Sequence, residues 1–433
     1  IYIGSVSGSV SVTVDDIGTS TSSDYAFYNN KALATANSTV SSTTALAAGG
    51  ALYVGSSTAG NVTISRSANG NTTHFASNSA VAVADPAGDT GSADAEAYGG
   101  AIYVGNSTGA NVIIGQTGDS FFFNANYATA TAESAGAAAT AYAEGGAVYV
   151  GDNTFGTVSV GGTITFSSNY ADSSAIAGGT GNALSYAEGG ALYIGSYTIA
   201  GTPTTVTISG TFTFSSNSIE ATADTNTNSG SGAATAKGYG AAIRVGYQNG
   251  DVTVSGGSFT SNTNTTIATS YTGTATAYSY GGAIFVWYNS KSVTVSGTGK
   301  TFSSNAATAT ANSTSAGQNT ARAAGGAIYI DDSTTNVVSI SGSLSFTRNS
   351  ATAKAGVAGG SLAEGSGIAS VYVAGGAIYI GEYNGSISVS ISDSGSVNEQ
   401  LAFYGNSVSG TANSTASSAT SSAGGGALYV GYS

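Results

Sequence analysis

Short runs in which a β-branched apolar residue alternates with Ser or Thr recur along the whole chain. Val10-Ser11-Val12, Val62-Thr63-Ile64, Val158-Ser159-Val160, Val206-Thr207-Ile208, Val252-Thr253-Val254 and Val293-Thr294-Val295 are typical. A period of two places one residue type on each face, which is the signature of a half-buried strand. A second phrase, Gly-Gly-Ala-aliphatic-aromatic-aliphatic, returns with its Ala at Ala51, Ala101, Ala147, Ala191, Ala242, Ala283, Ala327, Ala377 and Ala427, in steps of 41 to 51 residues. Its copy at Gly240-Ala241-Ala242-Ile243-Arg244-Val245 is degenerate. A third phrase, Phe-x-x-Asn, alternates strictly with the second and ends on Asn30, Asn78, Asn126, Asn169, Asn217, Asn262, Asn305, Asn349 and Asn406.

Fixed repetition of several short strands per unit predicts an all-β solenoid, a parallel β-helix in which each unit is one layer and equivalent strands stack about 4.8 Å apart. Leu52 and Val54 then point inward to pack with Val62, Ile64 and Phe75, and Tyr53 points outward. The Gly pair serves a tight corner or a close backbone approach. The Asn is expected to take a left-handed backbone at a turn and to bond the equivalent Asn above and below, forming a ladder. Between each Asn and the next Gly-Gly lies an Ala/Thr-rich insert such as Ala128 to Glu144 or Ala307 to Ala324. Alternation continues through it, with Gly, Ser or Asn at its middle, so each insert is expected to run out and back as a flattened arm packed through Ala. One coil per unit gives about nine coils and a length of roughly 45 Å.

Composition narrows the class. Only 7% of the 433 residues are charged, Gly numbers 64, Cys and Met are absent, and the net charge is −13. Gly without a three-residue period excludes collagen, and the recurrent β-branched residues and Phe exclude a disordered polar tract. No composition shift divides the chain, so residues 1–433 read as one continuous solenoid of about nine repeats. It opens inside one copy of the Gly-Gly-Ala phrase and closes at the end of another, from which we expect part of a longer array or filament. The negative charge argues against nucleic acid and anionic membranes as partners, and no apolar run is long enough to span a bilayer.

The paired Gly-Gly-Ala-Ile and Phe-x-x-Asn phrases resemble the polymorphic outer membrane protein repeat of chlamydial surface autotransporters, over essentially the whole chain. That resemblance implies a right-handed parallel β-helix acting outside the cell, often in adhesion. The chain departs from the family in its longer Ala/Thr inserts, its lack of Cys and its lack of a barrel segment.

Catalytic chemistry is sparse. His74 is the only His and is expected to face solvent beside inward Phe75. Asp15-Asp16 and Asp331-Asp332 are sequence neighbours whose side chains diverge on a strand. Glu144 and Glu188 occupy the same place in consecutive coils, and we expect a solvated pair with mildly raised pKa values in preference to a Ca²⁺ site. No catalytic residue, metal or cofactor is therefore assigned. The outward aromatic column, Tyr53, Tyr103, Tyr149, Tyr193, Phe285, Tyr329, Tyr379 and Tyr429, with Tyr2 at its head and Arg244 inserted by a cation–π contact, reads as a stabilising ladder. Its other reading is an interface for a neighbouring subunit or for sugar rings. Trp287, the only Trp, stands where most copies have Gly. Of eight Asn-x-Ser/Thr sequons (Asn37, Asn61, Asn71, Asn106, Asn264, Asn312, Asn384 and Asn413), Asn37, Asn106, Asn312 and Asn413 are the candidates for covalent glycan, the "ANST" copies at a turn of the insert.

These features favour a non-enzymatic extracellular structural protein, the protomer of a surface filament or layer. Its partners would be itself, through stacked ends or lateral arms, and glycans or a cell surface. The alternative is the stalk or passenger of a cell-surface adhesin.

Overall fold

The computed structural model describes residues 1–4, 8–14, 26–38, 41–56, 60–66, 72–86, 91–108, 111–195, 204–225, 231–287, 291–313, 317–331, 337–356, 368–381, 386–391, 402–414 and 418–431. Among them there is no helix. The chain is an all-β parallel solenoid, and every strand pairs in parallel with its counterpart one repeat away. Asp15, Asp16, Asp332, Asn71 and Asn384 lie outside the described residues.

One coil serves as the pattern. The motif strand Val148–Val150 follows the Gly pair. The core strand Thr157–Ser167 carries the Val-Ser-Val run and the Phe. Tyr170–Ala177 runs out along the arm, and Ala183–Glu188 returns to the next Gly pair. Stacked counterparts of these four strands form four parallel sheets. The register is tied to the repeat: Tyr149 lies beside Tyr103 and Tyr193, Phe166 beside Phe123 and Phe214, and Glu144 beside Glu188.

The motif and core sheets enclose a core of aliphatics and Phe, with Leu52, Val54, Val62, Ile64 and Phe75 all fully buried together. The Phe of each unit stacks on the next, from Phe27 to Phe403, with ring centroids 4.8 to 5.2 Å apart. The two arm sheets close on each other through a second core that is almost wholly Ala. Polar intruders there bond to one another or to the backbone. Ser173 and Ser185 hydroxyls are 2.6 Å apart. Buried Asn264 donates from Nδ2 to the carbonyls of Gly238 and Tyr280 at 2.9 and 3.0 Å. Its amide occupies the room that a Cβ on Gly238 would need.

The Asn ladder runs without a break and in one direction. Each Asn donates from its backbone N–H and from Nδ2 to the Oδ1 of the next, as Asn126 does to Asn169 at 3.0 and 2.9 Å. Nδ2 also reaches back to a Phe carbonyl, Phe75 in this case. Burial of so many amides is tolerable because each finds partners. The left-handed residue, however, is the one before the Asn: Asn29, Ser77, Ala125, Ser168, Ser216, Ser261, Ser304 and Arg348 have φ of 51° to 55°. That single residue turns the corner and frees the Asn to keep its amide inside.

The two glycines of the motif divide their work. Gly145 takes a φ of +64°. A Cβ on Gly146 would sit 2.1 Å from the Gly190 carbonyl oxygen of the adjoining coil. The first supplies the corner, and the second the close approach.

Candidate functional site: the groove between arm and coil

Each returning arm strand ends against the motif strand that follows it, and the outer faces of the two sheets meet in a groove running along the stack. On one wall is the motif column. Its rings stack from Tyr2 through Tyr53, Tyr103 and Tyr149 to Tyr193, with centroids 4.8 to 5.1 Å apart. The column resumes from Phe285 through Tyr329 and Tyr379 to Tyr429, at 4.6 to 5.2 Å. Arg244 fills the gap, its guanidinium carbon 4.5 Å from the Tyr193 ring centroid and 5.4 Å from that of Trp287.

The other wall comes from the arm. The residues preceding the Gly pair form one column, Tyr98, Glu144, Glu188, Tyr239, Tyr280, Ala324 and Ala374, aligned by strand register. Two residues earlier in each strand lies a second: Glu96, Tyr142, Tyr186, Lys237, Tyr278, Arg322 and Tyr372. The walls touch where both are aromatic, with Tyr98 and Tyr149 at 4.9 Å, Tyr239 and Phe285 at 4.8 Å, and Tyr280 and Tyr329 at 4.6 Å.

This second wall corrects two expectations. The middle of the aromatic column does not face solvent: Tyr193, Phe285 and Tyr329 are buried. Glu144 and Glu188 stand side by side in register, but at 9% and 7% exposure they are not a solvated pair. Arg244, itself 3% exposed, brings Nε within 2.7 Å of Glu188 Oε2. Its Nη1 donates to the Ile194 carbonyl at 3.3 Å. Burial first, and then the neighbouring Glu188 carboxylate, push the Glu144 carboxyl up to about 8, although Arg244 and a hydrogen bond from Tyr193 pull the other way. Burial also raises Glu188 against the pull of Arg244 and Lys237. Arg244 is held firmly charged: burial opposes its charge, and Glu188, Tyr193, Glu144 and Tyr149 together more than restore it. Near neutral pH the trio is best described as one guanidinium sharing roughly one negative charge between two carboxyls. Burial likewise lifts the hydroxyls of Tyr149, Tyr193, Tyr239 and Tyr329 well above the usual phenol range.

Past this trio the groove opens. Ala324 and Ala374, both buried, stand where the coils from Tyr98 to Tyr280 carry Tyr or Glu, and beside them lies a cleft of about 450 Å³. Trp287 and Asp331, which replace the Gly that follows most motif strands, line it together with Lys237, Tyr280, Arg322 and Tyr379. Lys237 Nζ donates to the Tyr186 hydroxyl at 3.0 Å, and the Tyr329 hydroxyl donates to Asp331 Oδ1 at 3.2 Å. Trp287 is 46% exposed.

His74 is half-buried against the ring of Phe122, 5.2 Å away, and is not the solvated residue expected. Among the sequons, Asn37, Asn61, Asn106 and Asn413 are exposed. Asn312 lies inside the arm strand Ala306–Ser313 and not at a turn, half-buried with its Oδ1 enclosed. Asn37 is likewise within a strand, and Asn413 is exposed just past one. Asn264 is fully buried in the arm. Among the described residues no three His, Cys, Asp or Glu side chains gather in a metal-binding group.

The arm columns that build the groove went unread in the sequence, yet a signal for them exists. Aligning copies on the Gly pair puts "AYAE", "SYAE", "AKGY", "AYSY" and "ARAA" in register, so that aromatic and charged residues fall one and three places before the first Gly.

No family model, no curated protein and no solved structure matches this chain.

Proposed function

We propose that the chain is a non-enzymatic, extracellular structural protein whose coils stack axially into a filament, with a second copy as its partner. The observation that carries this reading is the one-way Asn ladder set within four in-register parallel sheets. Asn30 offers an Oδ1 acceptor on the first described coil. On the last, the backbone N–H of Asn406 and one Nδ2 proton extend the donor series past the bond to the Phe346 carbonyl. The two faces are therefore complementary in hydrogen bonding, side-chain columns and strand direction, and exposed strand edges recruit further strands. A coil supplied by more of the same polypeptide would dock in the same way. Few charges, many hydroxyls and no Cys or Met suit a durable exterior polymer. Asn37, Asn61, Asn106 and Asn413 are the exposed sequons that would carry glycan. Burial of Glu144, Glu188 and Arg244 supports a cohesive role for the trio rather than a hydrolytic one.

Electron microscopy and fibre diffraction of the purified chain test this. Long fibres with a meridional repeat near ~4.8 Å are expected. Val10 donates inward to the Asn61 carbonyl, so alternation turns the Ser11 and Thr13 N–H groups to the open edge. Replacing Ser11 and Thr13 by Pro should therefore leave dispersed particles with the solenoid intact. Dispersed rods of the unmodified chain at every concentration would overturn the filament and favour an adhesin stalk.

A further inference from the structure

Stacking for cohesion alone would keep every coil alike, so departures from the repeat mark places where something else is selected. The departures converge. Arg244 breaks the aromatic column beside the cleft, Trp287 and Asp331 replace Gly in consecutive coils, and Lys237 and Arg322 stand where neighbouring coils carry Tyr; these last four all line the same cleft. The charge pattern converges there too. The chain has nine Lys and Arg residues against 22 Asp and Glu, yet Lys237 and Arg322 both line this cleft and Arg244 lies beneath it. Glu188, which also lines the cleft and feels Lys237, is matched by Arg244; Asp331 remains as the other carboxylate of the lining beside Lys237 and Arg322, which leaves a local positive excess on an acidic molecule.

We propose that this cleft binds an acidic oligosaccharide, with a sugar ring against Trp287 and a uronate carboxylate between Lys237 and Arg322. About 450 Å³ falls within the range of roughly 300 to 1,000 Å³ of small-molecule sites, enough for a short glycan segment. The indole, exposed on a β scaffold, presents a flat face to the C–H side of a sugar ring. Tyr280 and Tyr379 extend the aromatic lining. Lys and Arg supply the charge-assisted bonds a carboxylate needs, and the Asp331 carboxylate accepts from sugar hydroxyls. Both cations are held in position, Lys237 by the Tyr186 hydroxyl and ring, and Arg322 over the Tyr278 ring at 5.6 Å. The site is independent of the filament reading, since it lies on the side of the stack rather than on its ends.

Trp287 is the only Trp, so its fluorescence reports on the site directly. Titration of the full chain with a hyaluronan tetrasaccharide should give a saturable change in emission. A neutral β-linked glucose tetramer should bind at least tenfold more weakly. Lys237→Gln with Arg322→Gln should weaken the acidic ligand at least tenfold and abolish its salt sensitivity. By calorimetry, Trp287→Ala should weaken binding at least tenfold while Trp287→Phe retains most of it. Circular dichroism matching the parent chain would confirm that each variant is folded. The absence of a saturable signal at millimolar ligand, equal affinity for the neutral tetramer, or parental affinity in the Lys237/Arg322 double variant would each overturn the proposal.

Discussion

The coil core and the arm are built from the same parallel strands at the same spacing, yet they are held together by opposite means. In the core, Phe166 is fully buried between Phe123 and Phe214, with centroids 4.9 and 4.8 Å away, and large side chains span the distance between sheets. In the arm, Ala171, Ala175 and Ala187 line the interior, and the sheets themselves come together until little more than a methyl fits. The core relies on buried volume and the arm on closeness. Size is therefore a virtue in one region and an intrusion in the other.

Substitutions can break that contrast if it is wrong. The largest effect should come from emptying the core: Phe166→Ala leaves a cavity within a continuous column and should cost about 4 kcal/mol. Because repeat arrays lose strict two-state behaviour, the loss should be read by native-state hydrogen exchange, as a drop in protection centred on the coil of Phe166 and its two neighbours. Uniform loss along the chain would show that the coils unfold as one.

Next in size is the seam where arm and coil meet. Glu144 titrates near 4.5 when unfolded and at about 8 when folded, so the folded state holds the proton more tightly. Stability is then greatest below about pH 4.5 and declines as pH rises towards 8, by up to about 4 kcal/mol from this group. Glu188, also raised, acts in the same direction. Thermal melts between pH 4 and 9 should show this decline, and Glu144→Gln, which can still accept from Tyr193, should remove most of it. A melting temperature that rises over that range would contradict the buried carboxyl.

The smallest effect tests the arm by addition. Ala141 is fully buried, and Ala141→Val should cost about 2 kcal/mol by prising two close sheets apart. In the core a one-methylene increment, Val158→Ile, should cost less than half of that, under about 1 kcal/mol. Hydrogen exchange of Ala139–Glu144 against Thr157–Ser167 separates the two responses, and equal effects would erase the distinction between the regions.

Much of this was legible beforehand because the repeat exposes it. Period two gave the strands, the strict Phe-x-x-Asn spacing gave the buried Phe and Asn columns, and Ala/Thr alternation gave an arm running out and back. What lay beyond reach depended on where the arm lands. Tyr193 and Glu188 are each outward on their own strand by parity; only the return of the arm against the motif sheet encloses both. The left-handed residue escaped for a local reason. Ser, Ala, Arg and Asn all occupy it, so no residue type announces it, and the invariant Asn beside it drew the assignment instead.

The register carries a consequence at the level of heredity. The repeats differ by up to ten residues in length, yet strand meets counterpart in every layer, because the variation is absorbed between the paired segments and in bulges within the core strands. A tandem duplication that adds one whole unit to the gene would therefore present each neighbour with the surface it already met. Such a lineage can lengthen or shorten by recombination without redesigning any layer, while the cleft built by Lys237, Trp287, Arg322 and Asp331 has no spare copy among the described coils and must be inherited intact.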